Sequence, residues 1–573
     1  MTNSRMGELL GEMSVLLELD GANPFRVRAY QRAGQVVTGH PAPLSGVPVE
    51  KLTEIPGIGK GIAAHVAEME VSGTFQELEE MRKKFPPGLL AMLKVQGLGP
   101  KRAKTLFDTL KIDSLDKLKA AAQEGRLRGL PGFGEKTEAN ILEGVAFAAT
   151  ASERVLHWAA RQAALEVCAA FTRKTGLKDV CPAGSLRRGK ETVGDLDFLC
   201  SAKAGTSAVE AFIKLPQVSK VLSSGSTKAS VILEAGIQAD FRVVPPESWG
   251  AALVYFTGSK DHGVALREHA LRLGYSVNEY GVFRASDKER RKPLAGRTEE
   301  EVYARLGLSW IPPELRENRG ELEAAAKGKL PKLVELSDIR GDFHNHSKHS
   351  DGEASLLEMA QAAKDLGWEW VGLGDHSRSV TVAHGLDEAR LKATLKELAA
   401  AAKKVTGIRL MRSMEVDILK DGSMDYPDEV LSELDVVIGA VHSAFKMDEP
   451  SMTERVLKAV RHPKVHIIAH PSGRLLSGRG GYKLDTEAVM REAARCGTAL
   501  EINGQPDRQD ITDVQARRAK ELGAAVALNT DAHAPGEFCY MEMAVTVARR
   551  AWLTKDDVLN CRTAKQVEAW LRS

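Results

Sequence analysis

Through about the first 150 residues, apolar positions recur at helical spacing, and three similar glycine turns interrupt them. The turns lie at residues 55–59, 95–99 and 130–134, each with a Gly-apolar-Gly pattern. Glycine permits a tight turn, and the helix after it points unpaired N–H groups outward, where they can bind phosphate without reading sequence. One such turn is usually a helix C-cap, but three favour helix-hairpin-helix DNA binding. The glycines concerned are Gly57, Gly59, Gly97, Gly99, Gly132 and Gly134.

From about residue 151 to 316 the pattern is mixed. Apolar runs predict strands at 196–199, 230–233, 238–244 and 251–256. Amphipathic stretches predict helices at about 153–175 and 262–273. The stretch from 311 to about 336 is rich in charge, alanine and proline, which is typical of an interdomain linker.

Beyond about residue 338, short apolar runs alternate with amphipathic helices. The runs lie near 342–346 and at 370–373, 408–414, 436–441, 465–469, 499–502 and 525–528. Seven strands that alternate with helices predict a distorted, parallel (β/α)7 barrel. Such barrels carry their chemistry at the C-terminal ends of the strands, so polar side chains at those ends are candidate site residues.

Composition narrows the class of protein. A chain of 573 residues, 43% hydrophobic and 27% charged, is typical of several globular domains rather than one. No apolar run approaches the ~18 residues needed to cross a bilayer, and six scattered cysteines fit a reducing cytoplasm. The formal net charge is only +2, so any nucleic-acid binding must come from local patches and backbone sites.

Two aspartates, Asp195 and Asp197, are two residues apart on a predicted strand and therefore point to the same face. Neighbouring carboxylates repel each other unless a cation lies between them, and Asp240 can supply a third. Three carboxylates that hold two Mg²⁺ ions are what nucleotidyl transfer requires. Upstream, residues 184–189 offer glycines, a hydroxyl and two guanidiniums for phosphate oxygens. An isolated Asp-x-Asp is usually a surface pair, but the combined pattern is far more specific.

These segments make residues 1 to about 316 similar to a family X DNA polymerase, the group that contains DNA polymerase beta. The matching segments are 184–197, 240–242, 255–259, Arg267 with His269, and 278–280. The resemblance implies that Asp195 and Asp197 bind both metal ions and that Asp240 is oriented to the catalytic one. It also implies three sets of contacts: Ser185, Arg188 and Gly194 to the triphosphate, Tyr255, Phe256 and Gly258 to the incoming nucleotide, and Arg267 near the template strand.

The sequence departs from this family at two places. Where the family usually has an asparagine that contacts the incoming base, this chain has Gly263, so fidelity or nucleotide affinity is expected to differ. The lysines used by relatives for 5′-deoxyribose phosphate lyase chemistry are also missing. Arg26 and His65 stand at two of those positions, and only Lys60 is near enough to replace them. Schiff-base catalysis needs a desolvated amine, so we expect no lyase activity.

Nine potential metal ligands lie in the C-terminal part, and nearly all of them stand at or just past the end of a predicted strand. They are His344, His346, Asp351, His376, Glu415, His442, His470, Asp531 and His533. Neutral imidazole with carboxylate suits zinc, manganese or iron better than calcium or bare magnesium. Nine ligands are too many for one ion and about right for two or three.

This C-terminal part resembles the PHP (polymerase and histidinol phosphatase) domain, and the whole layout resembles bacterial and archaeal family X polymerases that carry one. Its complete ligand set favours hydrolysis over a purely structural role. The resemblance implies that Glu415 bridges two ions and that Arg474 steadies the phosphate. The expected cofactors are Mg²⁺ or Mn²⁺ at the polymerase site and two or three Mn²⁺ or Zn²⁺ ions, or iron, at the PHP site.

The sequence therefore predicts a multidomain chain: N-terminal all-α helix-hairpin-helix domains, an α+β palm of the nucleotidyltransferase type with a thumb, and the PHP barrel. The expected domains are an N-terminal DNA-binding domain at 1–80, a fingers-type domain at 81–150, the palm at 151–250, the thumb at 251–316, a linker at 317–337 and the PHP domain at 338–573.

The predicted function is gap-filling, template-directed DNA synthesis in repair, with a 3′–5′ exonuclease in the PHP domain that also could cleave abasic sites. The expected partners are gapped or primer-template DNA and dNTPs, and we expect a monomer in the cytoplasm, associated with the nucleoid. Two alternatives stay open. The PHP domain could be a small-molecule phosphoesterase carried on the polymerase, or the chain could be a DNA-end binding scaffold with weak activity.

Overall fold

The computed structural model describes residues 1–573 except 2, 39, 41–43, 94–97, 131–132, 135–137, 139–140, 142–153, 204, 288–291, 477, 479 and 573. The described residues fall into two compact units, Met1–Arg154 and Val155–Ser573. Within the described ranges, no helix combines the length and the apolar character that crossing a bilayer requires.

The first unit is helical, as its sequence pattern predicts. Apolar side chains such as Leu10, Met13, Phe75 and Leu78 form one continuous core between its helices. The helices are α1 (Asn3–Leu19), α2 (Pro24–Thr38), α3 (Val49–Thr53), α4 (Lys60–Ser72), α5 (Gln76–Lys84), α6 (Pro87–Met92), α7 (Pro100–Leu110) and α8 (Leu115–Gln123).

Two of the glycine turns lead directly into helices. Gly59 is the N-cap residue of α4 and Gly99 is that of α7, both with extended backbone. Gly57 has a φ of +104°, which a residue with a side chain adopts only under strain. Gly97 and Gly132, which were also predicted to contact DNA, lie outside the described residues.

The second unit begins with a mixed five-stranded sheet of order β2-β4-β7-β6-β5. A separate antiparallel pair joins β1 to β3. The strands are β1 (Val155–Leu156), β2 (Val180–Pro182), β3 (Thr192–Val193), β4 (Leu196–Ser201), β5 (Val218–Ser224), β6 (Lys228–Leu233) and β7 (Gln238–Val244). The helices are α9 (His157–Thr175), α10 (Gly184–Arg187) and α11 (Gly205–Ile213). Because β4 and β7 are parallel neighbours in the sheet, Asp197 lies directly beside Asp240.

Residues 251–256 were predicted to form a strand, and this prediction is wrong: they lie in α12 (Trp249–Thr257). Positions 250–254 are all buried, because the helix is covered on several sides. A short apolar run that is buried all round has no helical periodicity, so its pattern cannot distinguish a helix from a buried strand. The elements that follow are α13 (Lys260–Arg272), β8 (Tyr275–Asn278), β9 (Gly281–Arg284) and α14 (Glu299–Arg305).

The segment predicted as a linker, 317–337, is packed into the second unit. It contains α15 (Glu321–Ala326), and the Glu321 side chain is fully buried. One oxygen of this carboxylate lies 2.7 Å from Nδ1 of His262, and the carboxylate also accepts hydrogen bonds from the backbone N–H groups of Asn318 and Arg319. The connection between thumb and barrel is therefore held in place by a buried carboxylate.

The seven predicted strands of the C-terminal barrel are all present, in sequence order and all parallel. They are β10 (Gly341–Asp342), β11 (Trp370–Leu373), β12 (Arg409–Asp417), β13 (Val436–Ala440), β14 (Ile467–Ile468), β15 (Ala499–Asn503) and β16 (Val526–Asn529). A parallel bridge between Asn345 and Ala532 joins the first strand's extension to the last, so the barrel is nearly closed. The predicted (β/α)7 fold is confirmed.

Helices cover the outside of the barrel. They are α16 (Leu356–Asp365), α17 (Glu388–Lys404), α18 (Asp428–Leu431), α19 (Glu449–Val460), α20 (Thr486–Cys496), α21 (Asp513–Leu522), α22 (Met541–Arg550) and α23 (Ala564–Trp570). Short 3₁₀ turns lie at Pro246–Ser248, Pro313–Leu315, Leu336–Asp338, Thr381–Ala383, Pro535–Tyr540, Lys555–Asp557 and Leu559–Cys561.

A buried carboxylate, Glu299, joins the palm to the thumb. It accepts hydrogen bonds from Arg187 at 2.7 and 2.8 Å, from Arg316 at 2.7 Å and from the indole of Trp310 at 3.1 Å. Burial opposes ionisation of this carboxyl, yet Arg187 and Arg316 lower the pKa of Glu299 to about 2. Because Arg316 is itself fully buried, Glu299 supplies the counter-charge that its guanidinium needs.

We therefore expect Glu299→Gln to lower the free energy of unfolding of the second unit by about 3–5 kcal/mol, since the change leaves a buried arginine without its counter-charge. The ion pair stabilises the fold above the ordinary glutamate pKa of 4.5 and loses its effect as pH falls towards 2. Urea unfolding at pH 7 and at lower pH measures both effects. Glu300→Gln, the same change at the exposed neighbouring residue, should stay within about 0.5 kcal/mol of wild type; an equal loss in both variants would contradict this account.

Candidate active sites

Three carboxylates meet at one edge of the palm sheet. Asp197 and Asp240 are register partners on β4 and β7, and Asp195 lies just before β4. Burial, together with the charges of Asp195 and Asp240, raises the pKa of Asp197 to about 7. Asp240 accepts hydrogen bonds from the hydroxyl of Ser230 and, at 3.4 Å, from the amide of Gln238. The three predicted ligands are thus close enough to repel one another, a repulsion that a divalent cation would relieve.

Residues 184–191, which we call the phosphate loop, begin directly beside these carboxylates. Gly184 has a φ of +59°, and a Cβ atom there would overlap a carboxylate oxygen of Asp197. Only glycine fits this position. Ser185 lies within α10, and Arg188 is the C-cap residue of that helix. The structure therefore places the predicted triphosphate ligands beside the predicted metal ligands.

The residues predicted to face the incoming nucleotide lie at the end of α12. Tyr255 is 44% exposed, and its ring packs edge-on against Phe256, with the centroids 5.0 Å apart. The Arg242 guanidinium lies 4.8 Å from the centroid of the Phe256 ring. Gly258 follows the helix with a φ of +68°, close to the guanidinium of Arg188. Gly194, the third predicted triphosphate contact, is exposed next to Asp195.

At Gly263 the family usually has an asparagine, and in this structure the guanidinium of Arg267 lies beside the glycine. An added Cβ atom would be 3.4 Å from Nη1 of Arg267 and would meet no other atom within 4 Å. Both residues are on α13 and Arg267 is half-buried. The space beside Gly263 is therefore bordered by the arginine predicted to approach the template strand.

In the barrel, the nine predicted ligands converge at the C-terminal ends of the strands. Three groups of side chains have ligand atoms near enough to hold an ion: His346, Asp351, His376 and His533; His344, His346 and Asp531; and His376, Glu415 and His442. Glu415 lies at the centre, within 3.7 Å of five imidazoles. His470 joins the groups through this carboxylate, with Nε2 2.9 Å from Oε1.

Several ligand atoms in the barrel are buried without a hydrogen-bond partner among the described residues. Nδ1 of His376 and Oε2 of Glu415 are 2.7 Å apart, yet neither atom makes a hydrogen bond of acceptable geometry, and Nδ1 of His346 and of His470 are also unpartnered. Buried polar atoms are rarely left unsatisfied. Shared coordination of cations would satisfy them, so this donor set fits bound divalent metal ions.

The ligands are held by acidic residues that were not predicted as site residues. Glu501 lies 2.7 Å from Nδ1 of His344 and accepts a hydrogen bond from the backbone N–H of His470. Asp417 accepts a hydrogen bond from the backbone N–H of His442 and lies 3.3 Å from its Nδ1. Such partners fix the ring orientation of metal-binding histidines. A charged residue inside an otherwise apolar strand was the signal that could have revealed Glu501.

Arg474, predicted to steady a phosphate, is paired through Nη2 with groups outside the ligand set, and its buried Nε has no hydrogen-bond partner among the described residues. Its Nη2 donates to the carboxylate of Glu191 at 2.8 Å and to the carbonyl of Gln509. A different arginine is closer to the ligands: Nε of Arg508 lies 3.7 Å from Oδ2 of Asp531. Arg508 was not among the predicted site residues, because no strand end or motif marks it.

In the first unit, His65 is the centre of a small polar cluster. Its Nε2 lies 3.2 Å from Glu77, which also accepts a hydrogen bond from Tyr30 at 2.9 Å and pairs with Arg26. Burial and the neighbouring Glu77 raise the pKa of Tyr30 to about 12. Lys60, the lysine predicted to be near enough to replace the missing lyase residues, is the first residue of α4.

A nucleotidyltransferase-type carboxylate site and a PHP-type metal cluster on one chain define a metal-dependent enzyme of phosphate-ester chemistry. Family models match four parts of the chain. The chain matches a helix-hairpin-helix domain at residues 1–75, a SAM-like helix-hairpin-helix tandem at 89–146, the DNA polymerase beta thumb at 252–317 and the PHP domain at 342–496.

Whole-chain comparison gives the family. The chain is 38% identical over 566 residues to the DNA polymerase/3′–5′ exonuclease PolX of Bacillus subtilis (strain 168), covering 98% of both chains. It is 29% identical over 239 residues to a probable phosphatase of Thermoanaerobacter sp. (strain X514), a match that covers 39% of this chain and 91% of the relative. It is 31% identical over 231 residues to a probable phosphatase of Shewanella sp. (strain ANA-3), which covers 38% of this chain and 86% of the relative. The chain belongs to the bacterial family X DNA polymerases with a C-terminal PHP domain.

The geometry at Gly263 predicts the effect of restoring the family's asparagine. Gly263→Asn should fold normally, because the new Cβ atom meets only the flexible end of Arg267. One new hydrogen bond to the incoming base is worth about 0.5–1.5 kcal/mol, so the KM for the correct dNTP should fall about two- to tenfold with little change in kcat. Single-nucleotide gap-filling kinetics measure this. Gly263→Ala is the control; an equal fall in KM there would show that the amide is not responsible.

Proposed function

We propose that this chain is a template-directed DNA polymerase that fills gaps during repair, and that its PHP domain is a metal-dependent 3′–5′ exonuclease. The observation that carries the proposal is the approach of Gly184 to Asp197, which brings residues 184–191, where the sequence predicts triphosphate contacts, directly against three clustered carboxylates. The full-length similarity to a polymerase that is also named an exonuclease supports the same conclusion.

At the polymerase site, Asp195, Asp197 and Asp240 would hold two Mg²⁺ ions, with Mn²⁺ as an alternative. When bound, such ions activate the primer's 3′-hydroxyl and neutralise the triphosphate. The protein's own part is positioning. Ser185, Arg188 and Gly194 would hold the triphosphate, and Tyr255, Phe256 and Gly258 would border the nucleotide.

At the PHP site, the nine ligands would hold two or three Mn²⁺ or Zn²⁺ ions, or iron. Ions of this kind supply Lewis-acid chemistry for phosphodiester hydrolysis. Glu415 would bridge two of them, since it lies at the centre of the cluster. Arg508 is the better placed of the two arginines to contact a phosphate, because Arg474 is paired with Glu191.

The domain scheme predicted above completes the proposal. Residues 1–80 and 81–150 would bind DNA through their glycine turns, including the turn with Gly134. Further along the chain, Arg267 of the thumb would also contact DNA. The substrates would be gapped or primer-template DNA and dNTPs, and the chain would act as a monomer. Cleavage of abasic sites by the PHP domain, the lack of lyase activity and association with the nucleoid stay predictions.

Two substitutions separate the two activities. Asp197→Ala should abolish primer extension, with a loss of at least about a thousandfold, because one shared metal ligand is removed, while 3′-end digestion persists. His344→Ala should have the reverse effect and lower the metal content of the purified protein. Extension and digestion of a labelled primer, together with metal analysis, measure these results. Primer extension that survives Asp197→Ala would refute the polymerase assignment, and a wild-type protein that shows neither activity while it binds DNA ends would favour the DNA-end scaffold.

A second function for the PHP domain is favoured by one observation: the relatives that match only this part of the chain are named probable phosphatases. Under this alternative the barrel hydrolyses small phosphate monoesters. We expect the protein to release nucleotides from a labelled DNA 3′ end with a kcat/KM at least about a hundredfold above that for p-nitrophenyl phosphate, because DNA-binding modules share its chain. His344→Ala is the control for both substrates. The opposite preference would establish the phosphatase.

A further inference from the structure

The phosphate loop of the polymerase rests directly on the PHP barrel. Gly189 has a φ of +68°, and a Cβ atom there would overlap the methyl group of Thr546 on α22. One residue earlier, the carbonyl of Arg188 accepts a hydrogen bond of 2.6 Å from Arg550, the last residue of α22. Glu191, at the end of the loop, pairs with Arg474 of the barrel. A barrel helix therefore forms the support beneath the loop that would hold the triphosphate.

The Arg188 side chain is held at two of its nitrogen atoms. Nε donates to Glu317 at 3.1 Å, and Nη1 donates to the carbonyl of Thr257. Among the residues that the structure describes, Nη2 has no hydrogen-bond partner. The guanidinium thus keeps one edge for an external anion, and its orientation is set by Glu317 and by the end of α12.

Glu317 is in turn fixed by the barrel. Nη1 of Arg550 lies 3.0 Å from the same Oε1 atom that Arg188 contacts. Arg550 is 4% exposed, and its Nη2 donates to Asp513 at 2.8 Å. Asp513 also accepts from Arg319 at 2.9 Å. Arg550 therefore contacts both the backbone of Arg188 and the carboxylate that orients the Arg188 side chain.

The charges of this cluster are unbalanced in favour of an anion. Four basic side chains surround two carboxylates: Arg188, Lys190, Arg319 and Arg550 against Glu317 and Asp513. Burial and the nearby Arg550 lower the pKa of Lys190, as expected for cations that crowd together. An added polyphosphate at the open edge of Arg188 would be attracted by these cations. The opposing charge is that of Asp197, on which the Arg188 guanidinium also acts and which a divalent cation would neutralise.

We propose that Arg550 of the PHP barrel is a positioning residue of the polymerase reaction: through Glu317 and the Arg188 carbonyl, it fixes Arg188 for the triphosphate of the incoming nucleotide. This proposal rests on the polymerase function proposed above. The PHP barrel then has two roles, since it carries its own metal cluster and also forms one wall of the neighbouring nucleotide site. Removal of the support should weaken nucleotide binding and leave the chemical step largely intact.

Arg550→Met and Glu317→Gln test this in the full-length protein. Each should raise the KM for dNTP about ten- to a hundredfold in gap filling, because hydrogen bonds between charged groups that orient Arg188 are lost, with kcat changed less than about threefold. Equilibrium binding of dNTP to the complex with a dideoxy-terminated primer should weaken by the same factor. Arg550→Lys, which keeps the charge, should recover part of the affinity.

The adjacent Arg549 provides the matched control. It lies on the same helix and pairs with Glu314 and the Val334 carbonyl, away from the phosphate loop. Arg549→Met removes an ion pair of the same kind, so it should lower the thermal midpoint while the KM for dNTP stays at the wild-type value. Equal KM values in Arg550→Met, Arg549→Met and wild type would overturn the proposal, and so would an equal rise in both variants.

Two further outcomes are distinguishable. If Arg550→Met does not fold, Glu317→Gln decides, because Arg550 keeps Asp513 as its partner in that variant. A wild-type protein that extends no primer would refute the proposed polymerase function itself. A wild-type protein that polymerises, with an unchanged dNTP affinity in Glu317→Gln, would refute only the role assigned to this cluster.

Discussion

Metal-ligand side chains held close together, with charges or hydrogen-bonding atoms that the protein alone leaves unbalanced, are the constraint on which the functional parts of this structure depend. Asp197 is partly buried beside Asp195 and Asp240, which raises the pKa of its carboxyl to about 7. In the barrel, Glu415 and its imidazole neighbours leave several buried atoms without hydrogen bonds. A fold that keeps such groups together gives up stability unless cations bind between them. Both clusters are therefore best understood as sites built for metal ions, with their cost offset by the rest of the fold.

Parallel strands explain how residues that are far apart in sequence are brought into these clusters. In the palm, the parallel pairing of β4 with β7 sets Asp197 beside Asp240. In the barrel, all seven strands run the same way, so their C-terminal ends form one rim. Buried acidic residues such as Glu501 then orient the histidines through the ring nitrogen that does not face the cluster. The sheets thus supply convergence, and the hydrogen-bonded carboxylates supply orientation.

Much of this was predictable from sequence because the signals are local. The alternation of short apolar runs with amphipathic helices predicted all seven barrel strands, and the spacing of Asp195 and Asp197 predicted their shared face. The strand predicted at 251–256 is a helix. The prediction failed because residues 251–254 are all buried, and so short a buried run has no periodicity that distinguishes a helix from a strand. Contacts between distant segments could not be predicted either, because no local sequence pattern marks them; Arg188 and Arg550 are 362 residues apart in the chain. Glu191 likewise does not reveal that it pairs with Arg474, the arginine expected at a phosphate.

The position of Glu317 in the chain explains why the two catalytic parts are in such close contact. It is the last residue of the thumb match and lies just before the helix Glu321–Ala326, in the segment whose composition predicted only a linker. A loose linker would leave the relative placement of palm and barrel to chance. Here the connecting segment supplies the carboxylate that both Arg188 and Arg550 contact. The residue that links the two parts in the chain therefore also forms ion pairs with both of them. Because a shared carboxylate is satisfied only when both arginines are in position, residues 184–191 and the barrel stabilise each other's geometry.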